Sequence, residues 1–321
     1  DGIVAHGTTE RLLQSLDKIE DSLTQVSLKA RAAVILARSG DGPQAQDILT
    51  KAEAFVRKSV HGKDRSVALR HVAKALAETE HLVQALTILS DVPEDSNRTP
   101  VLITTATQQA LAGDAAAALV TADTIESVRY RAVVLGRIAL AQADAGDLDA
   151  AEVTLEMALA AIEKIKLPFA RSYAVSRVSL SMAGIGKLED AKAKAPAIFD
   201  KATKTAQGID DNRLRAHTFW TIAAEQVRAG LEDSAKETRK LAEQGTSEIK
   251  SALSRVWMFS EIASVHAQQG EDEAAWSAFD HGHRFAQAID NPWGRARAFG
   301  KLAATLIELV DPGKGLPSEP Q

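Results

Sequence analysis

A pattern of small residues recurs around seven anchor positions, and this recurrence limits the fold more than any other feature of the chain. Alanine stands five residues after every anchor, and alanine or serine stands seven residues before it. The anchors, spaced 33, 40 or 44 residues apart, are Gly40, Glu80, Gly113, Gly146, Gly186, Gly230 and Gly270. A period of this length is typical of chains built from stacked copies of one small unit.

Each copy predicts two helices joined by a tight turn. Apolar residues before Gly146, such as Leu135 and Ile138, follow helical spacing, and a second such run begins at Leu148. Glycine tolerates the left-handed conformation that ends a helix, and an aspartate such as Asp147 can cap the next one. The small residues on either side of the turn let the two helix axes approach closely.

The pattern resembles the tetratricopeptide repeat (TPR), in which a small residue, a turn glycine and a second small residue have these relative offsets. A later small position of that family is matched by Ala52, Ala158 and Ala242. The resemblance covers roughly residues 22–310 and implies an all-α, right-handed superhelical solenoid of about sixteen helices in antiparallel pairs. The chain departs from the family in its longer copies, which require longer second helices or longer links, and in aliphatic residues at the family's aromatic positions.

The two ends of the chain extend this organisation. Residues 8–21 predict an unpaired second helix, and residues 294–310 repeat the first helix once more as a capping helix. We therefore expect a single solenoid over residues 8–310, with seven helix–turn–helix repeats between these two helices. Residues 1–7 are expected to be a flexible N-terminus, and residues 311–321, DPGKGLPSEPQ, a disordered tail.

An arginine recurs fifteen residues before the anchor position, at the start of the first helix. A cation there opposes the helix dipole, so each one requires local compensation. We interpret these arginines as structural, bonding nearby carboxylates and the carbonyl end of the preceding helix; a repeated ligand-binding cation is the alternative. They are Arg65, Arg98, Arg131, Arg171, Arg215, Arg255 and Arg295, and the six anchor glycines share this structural role.

The resembling family binds partners on the concave inner face of its first helices. The equivalent positions here are basic in the first half of the chain and aromatic in the second. Arginine and aromatic side chains commonly anchor interaction surfaces, although packing between neighbouring helices is the alternative for each residue. The candidate binding residues implied by the resemblance are Arg31, Arg70, His71, Lys74, Arg137, Arg177, Tyr173, His217, Trp220 and Trp257.

Motifs for catalysis, cofactors or metals are absent or weak. No phosphate-binding glycine loop, H-E-x-x-H motif or Ser/His/Asp grouping occurs, and the lack of cysteine excludes disulfides and thiolate sites. His281 and His283 lie two residues apart, so on a helix they point about 200° apart and do not readily chelate one ion. We expect no enzymatic activity, no cofactor and no metal.

Charge and hydropathy narrow the function further. A net charge of −5 gives no general attraction to nucleic acid, and no apolar run approaches the roughly 18 residues needed to cross a bilayer. We expect a non-enzymatic interaction module or scaffold that binds a protein or peptide partner, acidic in character, in its concave groove. A self-assembling homo-oligomer and a small-ligand sensor are the alternatives. The lack of cysteine and the start at Asp1 favour an exported, periplasmic bacterial protein over a cytoplasmic one.

Overall fold

The fold is helical throughout the residues that the structure describes. The computed structural model describes residues 8–268 and 270–310, which form sixteen α-helices, one short 3₁₀ helix and no strand. The predicted all-α class and helix number are therefore confirmed. The expectations of a flexible N-terminus at residues 1–7 and a disordered tail at residues 311–321 lie outside the described residues.

The chain divides into two compact units, residues 1–161 and 162–321. The helices of the first unit are α1 (Thr8–Leu16), α2 (Ser22–Arg38), α3 (Gly42–Ser59), α4 (Gly62–Glu78), α5 (Leu82–Leu89), α6 (Asp95–Leu111), α7 (Ala115–Asp123) and α8 (Val128–Asp144). Helix α9 (Leu148–Glu163) ends just after the boundary. The helices of the second unit are α10 (Pro168–Gly186), α11 (Ala195–Gln207), α12 (Asn212–Arg228), α13 (Glu232–Glu248), α14 (Ala252–Gln268), α15 (Asp272–Gln287) and α16 (Pro292–Val310).

Within each unit the helices pack on near neighbours in the chain, as in a helical solenoid. The first helices of the copies, here called A helices, contact one another in the order α2, α4, α6, α8 and in the order α10, α12, α14, α16. The second helices, or B helices, pack on the A helices that precede them in six copies: α3 on α2, α5 on α4, α7 on α6, α11 on α10, α13 on α12 and α15 on α14. The small residues seven before and five after each anchor are at most 1% exposed, so the repeat pattern marks this contact.

The turn between the A and B helices has one backbone conformation in six of the seven copies. The anchor residue is left-handed, with φ between 67° and 91°, at Gly40, Glu80, Gly113, Gly146, Gly230 and Gly270. In three copies the following aspartate caps the B helix by accepting a bond from the amide three residues ahead, and these caps are Asp41, Asp114 and Asp147. Local turn chemistry therefore repeats together with the buried small residues.

Gly186 is the exception, and its prediction as a left-handed turn is wrong. It is the buried last residue of α10 and lacks the positive φ of the other anchor residues. A Cβ atom at this position would lie 2.8 Å from the ring of Phe199 on α11. Glycine is needed here because a buried ring lies against the backbone, and a 3₁₀ helix, Glu189–Ala191, follows in place of the turn.

The length of the B helix sets the length of the copy. The 33-residue copies contain α5 and α7, of 8 and 9 residues, whereas two of the 40-residue copies contain α3 and α13, of 18 and 17 residues. The copies themselves differ by seven residues, 40 against 33, which is close to two helical turns. Of the two explanations that the sequence allowed, longer second helices account for the 40-residue copies.

Candidate functional site

Three candidate binding residues of the first unit, Arg31, His71 and Arg137, lie nine residues before their anchors on A helices, and Arg70 and Lys74 lie beside His71 on α4. Arg31 is exposed on α2, whereas Arg70, His71 and Lys74 on α4 and Arg137 on α8 are half-buried. Because these A helices pack side by side in chain order, their equivalent positions share one side of the unit. We call these five residues the basic face.

The charge of the basic face comes mainly from its arginines, because Lys74 forms an ion pair with Glu78 at 3.5 Å. Burial, followed by the nearby charges of Arg70 and Lys74, lowers the pKa of His71 to about 4, so the imidazole is neutral at pH 7. The neutral ring leaves Nε2 free to accept a bond from Arg70, whose Nη2 lies 3.2 Å away. Helix α6, which lies between α4 and α8, presents a hydroxyl: Nη1 of Arg137 lies 3.5 Å from Oγ1 of Thr107.

Acidic residues are excluded from the middle of the A helices in the first unit. Helix α2 contains none, and those of α4, α6 and α8 lie only in the first or last turn: Asp64, Glu78, Asp95 and Asp144. The B helix α3 differs, because Asp47 and Glu53 lie within it and form ion pairs with Lys51 and Arg57. In the first unit, the middle of each of these A helices therefore carries only basic, polar or apolar residues.

Three further candidates lie on A helices of the second unit. Arg177 is exposed on α10, and Tyr173 on α10 and His217 on α12 are half-buried. Burial, followed by the charges of Arg177 and Arg213, lowers the pKa of His217 to about 4. Arg177 therefore lies close enough to His217 for its charge to lower the pKa of the imidazole. At pH 7 the two side chains are one cation and one neutral ring.

Trp220 on α12 is directed towards the B helices α13 and α15, which corrects its assignment to the inner face of the A helices. Its indole N–H donates to Oγ1 of Thr246 on α13 at 3.0 Å. Its ring contacts Phe259 of α14 and His281 of α15, with centroid distances of 5.5 and 5.2 Å. Gly282, whose missing side chain leaves space near Phe259, helps to make room for these rings. The alternative of inter-helix packing describes Trp220.

Trp257 contributes to an exposed stack that the sequence reasoning only partly found. The guanidinium of Arg297 on α16 lies 5.7 Å from the ring centroid of Trp257 and 5.4 Å from that of Trp293. Trp293 is 68% exposed, so the stack lies at the surface of the second unit. Trp293 was missed because it lies in the first turn of α16, ahead of the inner-face positions of the resembling family.

The recurrent arginines bond the ends of the preceding B helices. Three guanidiniums donate to the carbonyl six residues upstream: Arg215 to Ile209 at 2.7 Å, Arg255 to Ile249 at 2.8 Å and Arg295 to Ile289 at 3.1 Å. Two others reach the last residue of the preceding helix: Arg98 donates to the carbonyl of Leu89 at 3.4 Å, and Arg171 to the carboxylate of Glu163 at 3.0 Å. Arg65 and Arg131 are half-buried at the equivalent positions. These five arginines therefore make bonds of the kind expected if the recurrent arginines are structural.

A buried ionic network, which the sequence reasoning did not find, connects A and B helices of the second unit. The carboxylate of Glu225 on α12 lies 2.8 Å from Arg228 and 3.4 Å from Lys187, and Arg228 also pairs with Glu271. Nδ1 of the buried His266 lies 2.6 Å from the same Glu271 carboxylate. Burial, followed by the charges of Arg228 and Lys187, lowers the pKa of His266 to about 4. The paired charges stabilise the contact between copies and supply no nucleophile.

The two histidines near the end of the chain contact different partners. His281 stacks on Phe259 with a centroid distance of 5.0 Å, whereas His283 lies 5.7 Å from Phe299. In residues 8–268 and 270–310, no three histidine, aspartate or glutamate side chains are grouped closely enough to hold a metal ion. None of the described helices is both long enough and apolar enough to cross a membrane.

Comparison with known proteins adds no family to this description. No model of a protein family matches the chain. No curated protein matches it at a significant level.

Proposed function

We propose that the chain is a non-enzymatic, TPR-like interaction module whose basic face binds an extended acidic segment of a protein partner. The observation that carries the proposal is the charge distribution of the A helices in the first unit, where cations occupy mid-helix positions and acids only the ends. Guanidinium groups bind carboxylates through two parallel hydrogen bonds, so arginine suits such a partner. The neutral His71 adds a polar group without adding charge.

The basic face also sets the length of the segment that it would bind. Three steps between neighbouring A helices separate α2 from α8, and packed helices lie about 8 to 10 Å apart. Arg31 and Arg137 are therefore separated by roughly 24 to 30 Å along the face. An extended peptide advances about 3.3 Å per residue, so a segment of about seven to nine residues spans it.

Fluorescence anisotropy with a labelled ten-residue glutamate peptide tests this proposal, with a ten-residue lysine peptide as the comparison. The net charge of −5 opposes binding of the glutamate peptide and favours the lysine peptide, so general electrostatic attraction predicts the reverse preference. We expect the glutamate peptide to bind more tightly. Its affinity is expected to fall at least about tenfold when salt rises from about 50 to 300 mM, because exposed ion pairs are screened.

Matched variants separate the basic face from the rest of the surface. The double variant Arg31→Ala/Arg137→Ala is expected to weaken glutamate-peptide binding about tenfold, since each charge contact contributes about 0.7 kcal/mol. The control, Lys51→Ala/Lys58→Ala, removes the same charge from exposed positions of α3 and is expected to change affinity less than about twofold. Equal losses in the two double variants, or tighter binding of the lysine peptide, would show the proposal to be wrong.

A further inference from the structure

Helix α16 leaves exposed a face that is buried in the other A helices. The recurrent Arg295 places position 310 of this helix at the anchor. Ala303 and Ala296, seven and fourteen residues before that anchor, are exposed, whereas the equivalent residues of all seven copies are buried. In one copy the covering element is the B helix: a Cβ atom at Gly245 of α13 would lie 3.3 Å from the Cβ of Ala216, the equivalent of Ala296. The exposed face of α16 therefore includes a position on which a B helix packs elsewhere.

The exposed face carries a continuous row of apolar residues with the spacing of a coiled coil. The residues recur at alternating intervals of three and four, the spacing that keeps one side of a helix against a partner helix. None of them is charged and all are exposed, Trp293 by 68%, Ile307 by 64% and Val310 by 72%. Phe299 and Leu306 extend the apolar surface along one edge. We call this row the α16 seam, and it consists of Trp293, Ala296, Gly300, Ala303, Ile307 and Val310.

The area of the α16 seam suits a weak dimer. With Phe299 and Leu306 it exposes roughly 500 Å² of apolar surface, as much as the largest patch of a typical monomer, and such patches commonly mark interaction sites. Two copies paired through this surface would cover about 1,000 Å² in total, which is the lower limit for a specific interface. The area therefore favours a reversible association over a permanent one.

The α16 seam is complementary to a second copy of itself in the antiparallel direction. If two seams pair about a two-fold axis that passes between Gly300 and Ala303, residues at equal distances from the axis face each other. Small residues then meet large ones, and the glycine and alanine at the centre let the helix axes approach to about 8 Å. A parallel pairing would set Ala296 against Ala296 and Ile307 against Ile307, which leaves a gap in one layer and crowds another. The antiparallel layers, each formed twice, are Gly300 with Ala303, Ala296 with Ile307, and Trp293 with Val310.

The edges of the α16 seam match in the same pairing. Like edges of two antiparallel helices face each other, so Phe299 of one copy lies against Leu306 of the other. On the opposite edge, Arg297 faces Ala304, so no like charges meet there. Both edges therefore favour the pairing that the central layers favour.

We propose that the α16 seam binds a second copy of this chain, forming a two-fold symmetric dimer through an antiparallel pair of α16 helices. Burial of the apolar seam supplies the driving force. The residues that follow, DPGKGLPSEPQ, contain three prolines, so the sequence predicts no B helix within residues 311–321 to cover the seam instead. This interface is independent of the proposed function, because it lies in the second unit and the basic face lies in the first.

Sedimentation equilibrium of the full chain tests the proposal. Between about 1 and 200 µM we expect the 34.3 kDa monomer to convert to a species of twice that mass, with a dissociation constant of about 10 µM. Ile307→Glu places a carboxylate in the interface twice per dimer and is expected to weaken association at least about thirtyfold. The control is Val153→Glu on α9, which makes the same change at a residue that is 63% exposed, and it is expected to change the dissociation constant less than about twofold.

Introduced cysteines test the direction of pairing, since the chain has no cysteine of its own. Under mild oxidation, Ala296→Cys/Ile307→Cys is expected to give a disulfide-linked dimer, because the two positions face each other between copies. Within one helix they lie about 16 Å apart, too far for a disulfide. Val310→Cys is expected to stay unlinked, because its two copies would lie about 25 Å apart along the helices. Circular dichroism and the affinity for the glutamate peptide are expected to be unchanged in Ile307→Glu, which separates this proposal from the proposed function.

Four results would overturn the proposal. The first is a chain that stays monomeric up to about 200 µM, as it would if the seam served a different protein. The second is an equal loss of association in the two glutamate variants. The third is linkage of Val310→Cys in preference to the double cysteine variant, which would indicate a parallel pair. The fourth is a mass that keeps rising beyond that of a dimer, which would indicate end-to-end assembly.

Discussion

Replacing Glu80 by glycine is expected to stabilise the protein. Glu80 is the only residue other than glycine that has a positive φ in the described part of the chain, and at 67° it occupies the position that glycine holds in five other turns. A left-handed L-residue costs about 1 to 2 kcal/mol, whereas glycine costs about 0.5 to 1 kcal/mol in lost chain entropy on folding. Because the Glu80 side chain is exposed, the difference predicts a gain of about 0.5 to 1 kcal/mol for Glu80→Gly.

The reverse substitution, Gly146→Glu, provides the matched experiment in the same unit. A Cβ atom at Gly146 would meet no other atom within 4 Å, so the expected cost is that of the backbone conformation alone, at φ 87°. We expect a loss of about 1 kcal/mol, close to the gain at Glu80 but opposite in sign. Urea unfolding followed by circular dichroism measures both changes as shifts in midpoint at constant slope. A neutral or destabilising effect of Glu80→Gly would refute the idea that φ alone selects glycine in these turns.

Two further predictions test burial. Gly186→Ala is expected to destabilise the protein by about 1 to 3 kcal/mol, because the new methyl group meets the ring of Phe199. Gly300→Ala is expected to stabilise it by about 0.5 to 1 kcal/mol, because this helical glycine has open space around it. Urea unfolding measures both changes. The second concerns His266, whose pKa falls from 6.5 to about 4 on folding. Because the unfolded state binds a proton more readily than the folded state, the stability contributed by neutral His266 is fully present above pH 6.5. The free energy of unfolding then falls by about 1.5 kcal/mol as the pH is lowered from 6.5 to 5. Unfolding midpoints over this interval should depend less on pH in His266→Gln, and an unchanged dependence would contradict the assignment.

The helices and their contacts could be predicted from the sequence because the same physical requirement recurs in every copy. Small residues at fixed distances from the anchor are buried where an A helix meets its B helix, as at Ala33 on α2 and Ala45 on α3. Gly186 shows where this reasoning fails. Glycine is selected both for a left-handed backbone and for close approach of another group, and the residue alone does not reveal which requirement applies. Only the position of Phe199 distinguishes them.

The candidate site was less predictable than the fold, because repeat position fixes a Cα atom and leaves the direction of a long side chain open. Trp220 occupies an inner-face position of the resembling family, yet its indole is directed to Thr246 and Phe259. The discrepancy arises because an indole is large enough to reach the neighbouring helices. The surroundings of Trp220 also depend on His281, which is more than sixty residues away in the chain.

The recurrent arginines resolve the electrostatic difficulty that their position raised. A guanidinium in the first turn of an A helix faces the positive end of that helix's dipole, which is unfavourable by itself. Arg215, Arg255 and Arg295 also donate to the carbonyl that follows the preceding B helix, where the negative end of the neighbouring dipole lies. One side chain therefore lies between two helix ends of opposite sign and donates to a carbonyl just beyond the end of the preceding B helix. In these three copies the acceptor is six residues upstream, so the bond also fixes the link between one copy and the next.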